Sequence, residues 1–200
     1  EARRAAFVQA RFEAVGLEQV YVDELHNVYG CLRGIEPTRS AVLLSAHTDT
    51  VFEAATDLTI RRENDLIYGP GLGDNSIGVA GLIGLAEMLQ ERHLTPARDL
   101  WFVANTREEG LGDLGGMKAV IERLRGRISC VINVEGMAFG HVYHAGIAVR
   151  RLHITASTEG GHSWLNFGRP SAIHGIVQLG AKLTALQPPS TPRTTYNIGL

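Results

Sequence analysis

Apolar positions at the start of the chain recur every three or four residues. Ala5, Val8, Phe12 and Val15 fall on one face and Gly16 follows, which predicts a helix that stops there. "VYVDE" and "NVYGCLRG" read as two strands with Leu25 and His26 between them, and "EPTRS" as a turn. "AVLLSAH" is a short, mostly apolar strand of the fully buried kind. "LTIRRENDLIYG" has the pattern of a hairpin turning at Asn64–Asp65. The Gly-rich loop "GPGLGDNS" then opens a helix from about Ile77 to Arg92. Its apolar residues (Val79, Leu82, Ile83, Leu85, Ala86, Leu89) run nearly all round, so the pattern predicts a helix buried on most sides. "DLWFVANT" is another buried strand, "GGMKAVIERL" a helix, and "RISCVINVE" a strand ending at Glu135.

Strands alternating with helices predict an α/β fold: a mixed, mostly parallel sheet with flanking helices. Ligand sites in such sheets lie beyond the carboxyl ends of the strands. The texture changes near Gly140. "HVYHAGIAVRRLHITAST" reads as strands, "EGGHSWLNFGRPS" as a loop, "AIHGIVQLGAKLTAL" as a helix, "PPSTPRTT" as a linker or turn and "YNIGL" as the start of a further strand. A hinge is expected within residues 138–147. It separates residues 1–142 from a smaller, incomplete α+β unit, residues 143–200. The absence of an initiator Met and the strand-like ending predict a fragment of a longer chain.

Composition narrows the class. A hydrophobic content of 44% over 200 residues supports a packed core and excludes disorder. A net charge of −2 with no Lys/Arg run argues against nucleic acid or a membrane surface as partner. No apolar run approaches the ~18 residues of a membrane span. Cys31 and Cys130 lie in strand-like runs far apart, which predicts two buried free thiols in a reducing, cytoplasmic compartment.

The candidate chemistry sits at strand ends. His47 and Asp49 lie two apart where "AVLLSAH" runs out; Asp74 opens a helix from a Gly loop; Glu108 and Glu109 follow one buried strand and Glu135 another. A two-metal hydrolytic site needs a bridging carboxylate, further His or carboxylate ligands, and a base that does not ligate. Glycines let backbone approach an ion, and a helix N-terminus favours a carboxylate, which suits Asp74. Glu108 and Glu109, as neighbours on extended backbone, point opposite ways, so one can ligate while the other faces substrate. Asp49 can accept the ring N–H of His47 and so choose the nitrogen offered to metal. Each signal alone also suits an ordinary solvated side chain; their order at successive strand ends favours metal. A dinucleotide loop is disfavoured, because Asp74 occupies the place of the third glycine and would repel a pyrophosphate. His26, His93, His141, His144, His153 and His174 lie outside the pattern and read as structural or surface residues.

In order, "AHTDTV", "GPGLGDNSIG", "TREEG", "INVEG" and "GGHSW" resemble the zinc-dependent exopeptidase and deacylase family. That family includes peptidase T, glutamate carboxypeptidase, acetylornithine deacetylase, succinyl-diaminopimelate desuccinylase and aminoacylase. The resemblance implies a catalytic domain carrying a smaller lid domain that also forms a homodimer. It implies two divalent ions, zinc foremost, with cobalt or manganese as alternatives. His47 and Glu135 would hold one ion and Glu109 the other, with Asp74 bridging, Glu108 as general base and Asp49 orienting His47. His162 would stabilise the oxyanion in the partner's site, Asn197 would bind substrate, and Asp74–Asn75 would be a cis peptide. The expected activity is hydrolysis of the amide bond of small peptides or N-acyl amino acids; the alternative is a non-catalytic binding or dimerisation module that kept the fold. Two departures stand out. Many members carry Asp-x-Lys where this chain has Asp74-Asn75-Ser76. The family's last zinc ligand, a His, would lie beyond residue 200, so these residues alone are expected to hold at most one ion firmly and to turn over little.

Overall fold

The computed structural model describes residues 1–136 and 139–199. Backbone contacts divide the chain into two compact units, Glu1–Val142 and Tyr143–Leu200.

The first unit begins with α1 (Ala2–Val15), which buries Ala5, Val8 and Phe12. Gly16 ends it at φ 84°, a left-handed conformation that glycine adopts without a Cβ penalty. Two strands follow, β1 (Glu18–Val22) and β2 (Val28–Leu32), and then β3 (Ala41–His47). The hairpin β4 (Arg61–Glu63) and β5 (Leu66–Tyr68) turns at Asn64–Asp65, with Asn64 at φ 51°. A wide helical turn, Leu72–Ser76, leads into α2 (Ile77–Glu91). β6 (Leu100–Asn105), α3 (Gly115–Arg123) and β7 (Ile128–Asn133) complete the unit.

The main sheet has the order β1-β2-β6-β3-β7. β3 pairs in parallel with β6 and β7, while β2 is antiparallel to β1 and β6, so β2 alone runs against the other four. Helices α1 and α2 cover one face through a core that includes Phe12, Leu44, Leu82 and Phe102. The other face packs Tyr29, Leu43, Trp101 and Val103 against Val120 and Leu124 at α3. The runs of β3 and β6 are apolar on both faces because helices cover both sides. The parallel strands β3, β6 and β7 end at one edge of the sheet, and all the strand-end acids expected to act lie there.

Three expectations are corrected in this unit and the next. Helix α2 buries one side only (Gly78, Leu82, Ile83, Ala86), because it lies on a single sheet face, and its outer side is occupied partly by the small residues Ala80, Gly81 and Gly84. Cys31 is buried as expected, but Cys130 is exposed, since β7 is the outermost strand of the sheet. From His141 onward, no strand forms among the described residues of "HVYHAGIAVRRLHITAST" or "YNIGL". Extended backbone becomes a strand only when a neighbour completes its hydrogen-bond ladder. Leu200 and Ala138, at the edges of the expected final strand and hinge, lie outside the described residues.

The second unit contains α4 (Ala172–Thr184) as its regular element, started by Ser171, whose hydroxyl accepts the His174 N–H at 3.3 Å. Among the described residues, no helix is long and apolar enough to cross a membrane.

Candidate metal centre

His47 is the last residue of β3 and is only 3% exposed. The next residue is pinned: Thr48 donates both its backbone N–H and its hydroxyl to the Asn105 carbonyl, at 2.7 and 3.1 Å. The ends of β3 and β6 are thereby held together. His47 Nδ1 lies 3.1 Å from the Asp49 carbonyl and 3.6 Å from the Asp49 carboxylate. A carbonyl oxygen only accepts, so this contact calls for a proton on Nδ1 and leaves Nε2 free to face the acids. Nε2 is 2.9 Å from Asp74 Oδ1 and 3.7 Å from Glu135 Oε1.

Two groups of donor atoms, each within 4.8 Å of one another, share this ring: His47, Asp74 and Glu135, and His47, Glu108 and Glu109. The structure therefore brings together all five residues. It also sets both Glu108 and Glu109 beside His47, where extended backbone would have sent them opposite ways. Arg107, at φ 55°, bends the chain just before the pair. The Asp49 carboxylate then accepts the backbone N–H of Glu108 at 3.1 Å and of Glu109 at 2.9 Å.

Asp74 lies in the Gly loop with extended φ/ψ (−126°, 97°), and its bond to Asn75 is cis, as the resemblance implied. Asn75 is 1% exposed. Its Nδ2 donates to the Val134 carbonyl at 2.8 Å, and its Oδ1 accepts the Gly78 N–H at 3.0 Å. The second bond has the spacing of a helix cap, and an Asn just ahead of an apolar helix was a sequence signal for it. A second group absent from the sequence reading is the buried Asp23–Asn27 pair. Asp23 accepts the N–H groups of Leu25 and Asn27, the Asn27 amide and the Tyr29 hydroxyl, all at 2.9 Å. Asn27 Oδ1 in turn accepts the Thr106 N–H at 2.9 Å, two residues before Glu108.

The electrostatics suit a cation. Burial and the neighbouring acids Asp74 and Glu108 raise the pKa of Glu109. Burial likewise raises that of Glu135, His47 opposes it, and Asp74 adds to it. Burial acts against a charged His47, but Asp49, Glu135 and Glu108 outweigh it and push the pKa up to about 9. Burial would raise the pKa of Asp49, yet His47 and the Glu109 and Glu108 amides hold it below the usual range. One imidazole among four ligating-type carboxylates is a hard, oxygen-rich donor set with surplus negative charge, which a divalent ion would neutralise. The residues fit a metal.

His162 and Asn197 belong to the second unit, and both are exposed. His162 is held in a local turn. Its N–H donates to Asn166 Oδ1 at 2.9 Å, and its Nδ1 accepts the N–H groups of Trp164 and Leu165 at 3.2 and 3.4 Å.

A buried strand-end histidine ringed by carboxylates at the carboxyl edge of an α/β sheet makes a candidate metal-binding centre. The chain belongs to peptidase family M28, whose sequence profile matches residues 27–151. The zinc exopeptidase and deacylase resemblance is thus borne out. The candidate succinyl-diaminopimelate desuccinylase DapE of Mycobacterium tuberculosis is 32% identical over 190 residues, covering 93% of this chain and 50% of that protein. The chain therefore spans half the length of that curated relative. The aminopeptidase PepT of Bacillus cereus has the same fold over 68% of this chain and 38% of its own, with TM-score 0.55 and 20% identity. A tripeptidase of Staphylococcus aureus is 25% identical with TM-score 0.50, over 66% of this chain and 37% of its own.

Proposed function

We propose that the protein is a dinuclear zinc hydrolase cleaving the amide bond of small peptides or N-acyl amino acids. The observation that carries this reading is the single buried imidazole of His47 shared by two carboxylate groups, Asp74 with Glu135 and Glu108 with Glu109. His47 and Glu135 would hold one ion and Glu109 the other, with the Asp74 carboxylate available to both. Bound divalent ions supply positive charge that acidifies water at the site and polarises the scissile carbonyl. Glu108 takes the proton from the attacking water and returns it to the leaving amine. Asp49 fixes the His47 ring and, through two N–H bonds, the backbone of the Glu pair. His162, from the partner subunit of a homodimer formed through residues 143–200, donates to the developing oxyanion, and Asn197 binds substrate. Residues 1–142 are the catalytic domain and residues 143–200 the lid. The protein acts in the cytoplasm. The tripeptidase and desuccinylase names of the relatives support a small peptide or acylated amino acid as substrate.

The test is amine release by the zinc-loaded full-length protein from a panel of di- and tripeptides and of N-acetyl and N-succinyl amino acids. Release that a chelator abolishes and zinc restores is the expected result. Two bound ions with no turnover on any member of the panel would favour the non-catalytic binding module.

A further inference from the structure

Asp74 and Glu135 come from different elements, a loop before α2 and the end of β7, yet both must present oxygens to one imidazole nitrogen. Asn75, the residue after Asp74, joins those two elements. Its Nδ2–H reaches the carbonyl of Val134, the residue before Glu135, at 2.8 Å. Its Oδ1 takes the N–H of Gly78 in the first turn of α2 at 3.0 Å. Val134 continues the path: its N–H donates to the Ser45 carbonyl at 2.7 Å, two residues before His47. The bonds from Gly78 to Asn75, Val134 and Ser45 thus run through residues one or two positions from Asp74, Glu135 and His47.

The packing leaves no slack in this path. A Cβ on Gly78 would lie 2.0 Å from Asn75 Oδ1 and 2.6 Å from the Val134 carbonyl. A Cβ on Gly136, just past Glu135, would lie 2.0 Å from the Gly73 carbonyl, just before Asp74. Glycine on both sides lets the Gly loop and the end of β7 approach closely enough for a short amide to bridge them. The bridging side chain must also both donate and accept. A carboxylate at position 75 keeps the acceptor for Gly78 but turns a second acceptor toward the Val134 carbonyl.

We infer that Asn75 is a positioning residue for the metal site: its side-chain amide sets the spacing of Asp74 and Glu135 around His47. This rests on the metal reading proposed above. Partners that orient metal ligands typically contribute about 10–100-fold to metal affinity.

The test measures zinc affinity by chelator competition, and the visible spectrum of the cobalt-loaded protein, for wild type, Asn75→Asp and Asn75→Ala. Thermal unfolding is followed in parallel. Leu82→Ala, a core truncation in α2, serves as a destabilised control, and His47→Ala as a ligand control. The expected result is cooperative unfolding in both Asn75 variants, zinc affinity about 10–100-fold weaker and an altered cobalt spectrum. Leu82→Ala should lower the melting temperature and leave affinity and spectrum unchanged. Affinity within about threefold of wild type in folded Asn75→Asp overturns the inference, as does equal loss in Leu82→Ala. Loss of cooperative unfolding in both Asn75 variants assigns the residue to folding and overturns it as well. If wild type binds zinc no better than His47→Ala, the metal reading fails first and takes this inference with it. If wild type binds and His47→Ala does not, only the Asn75 claim is at stake.

Discussion

The carboxylate of Asp49 accepts the backbone N–H of Glu109 at 2.9 Å, and its other oxygen takes the N–H of Glu108 at 3.1 Å. One residue thus sets the position of the Glu pair at the end of β6 with its carboxylate while its backbone carbonyl faces the His47 ring. Asp49→Asn keeps one accepting oxygen and replaces the other with an N–H donor that opposes a backbone N–H. The expected outcome is zinc affinity or turnover reduced about 10–100-fold with cooperative unfolding retained. Titration of zinc into the metal-free variant, alongside circular dichroism, checks it.

Binding of metal should release a proton. In the metal-free protein the His47 pKa is pushed up to about 9, against about 6.5 in the unfolded chain. A raised basic pKa stabilises the protonated folded state, so this contribution is full below pH ~6.5 and is lost as pH rises through about 9. The raised pKa values of Glu109 and Glu135 have the same sign, their contribution being lost as pH rises from 4.5 upward, below the His47 interval. Metal-free protein should therefore lose stability between pH 6.5 and 9, while the gain on adding zinc should grow over that interval. Calorimetric zinc titrations at pH 7 in two buffers of different ionisation enthalpy should report about one proton released per His47-bound ion. Buffer-independent heats would contradict it.

Glu108 lies in the same donor group as Glu109, so position alone does not separate base from ligand. Glu108→Gln preserves volume and removes the basic oxygen. With Glu108 as base, zinc should remain bound while turnover falls about 10²–10⁴-fold, measured as amine release at saturating substrate. Loss of an ion with the activity would make Glu108 a ligand.

The buried Asp23–Asn27 pair carries the strand end that precedes the Glu pair. Asn27→Ala orphans the Thr106 N–H and frees one of the bonds to Asp23. Each buried group left without a partner costs about 1–3 kcal/mol. Urea unfolding should show a loss in that range or above, with an unchanged slope.

The two thiols should differ in reactivity. Cys31 is 0% exposed, and burial pushes its pKa up to about 11. Cys130 is exposed on β7. A thiol reagent at pH 8 should modify Cys130 in the folded protein and reach Cys31 only on unfolding; rapid modification of both would contradict the burial of β2.

Much of the first unit was legible in the residues because its signals are local. The spacing of Ala5, Val8 and Phe12 marks one helix face, the run "AVLLSAH" marks a strand covered on both sides, and Asn64–Asp65 marks a tight turn. Placing acids after successive parallel strands also follows from sequence, since such strands end at one edge of the sheet. The second unit was misread because an extended run becomes a strand only through a neighbour, and a run such as "HVYHAGIAVRR" does not name one. Cys130 was misread for a related reason: strand order, which makes β7 an edge, is a property of the whole sheet.

Residue identity and spacing along the chain establish which residue types could hold a metal and that they lie at strand ends. They do so because periodicity and motif spacing are carried by near neighbours along the chain. It takes the folded chain to show that Glu108 and Glu109 both lie beside His47, that Asp49 holds their backbone, and that Asn75 ties Asp74 to the residue before Glu135. The last two join groups 60 and 59 residues apart, and each sets a side chain against a backbone N–H or carbonyl group. Backbone groups carry no mark of their own in the sequence, so which side chain meets them depends on where the fold puts them.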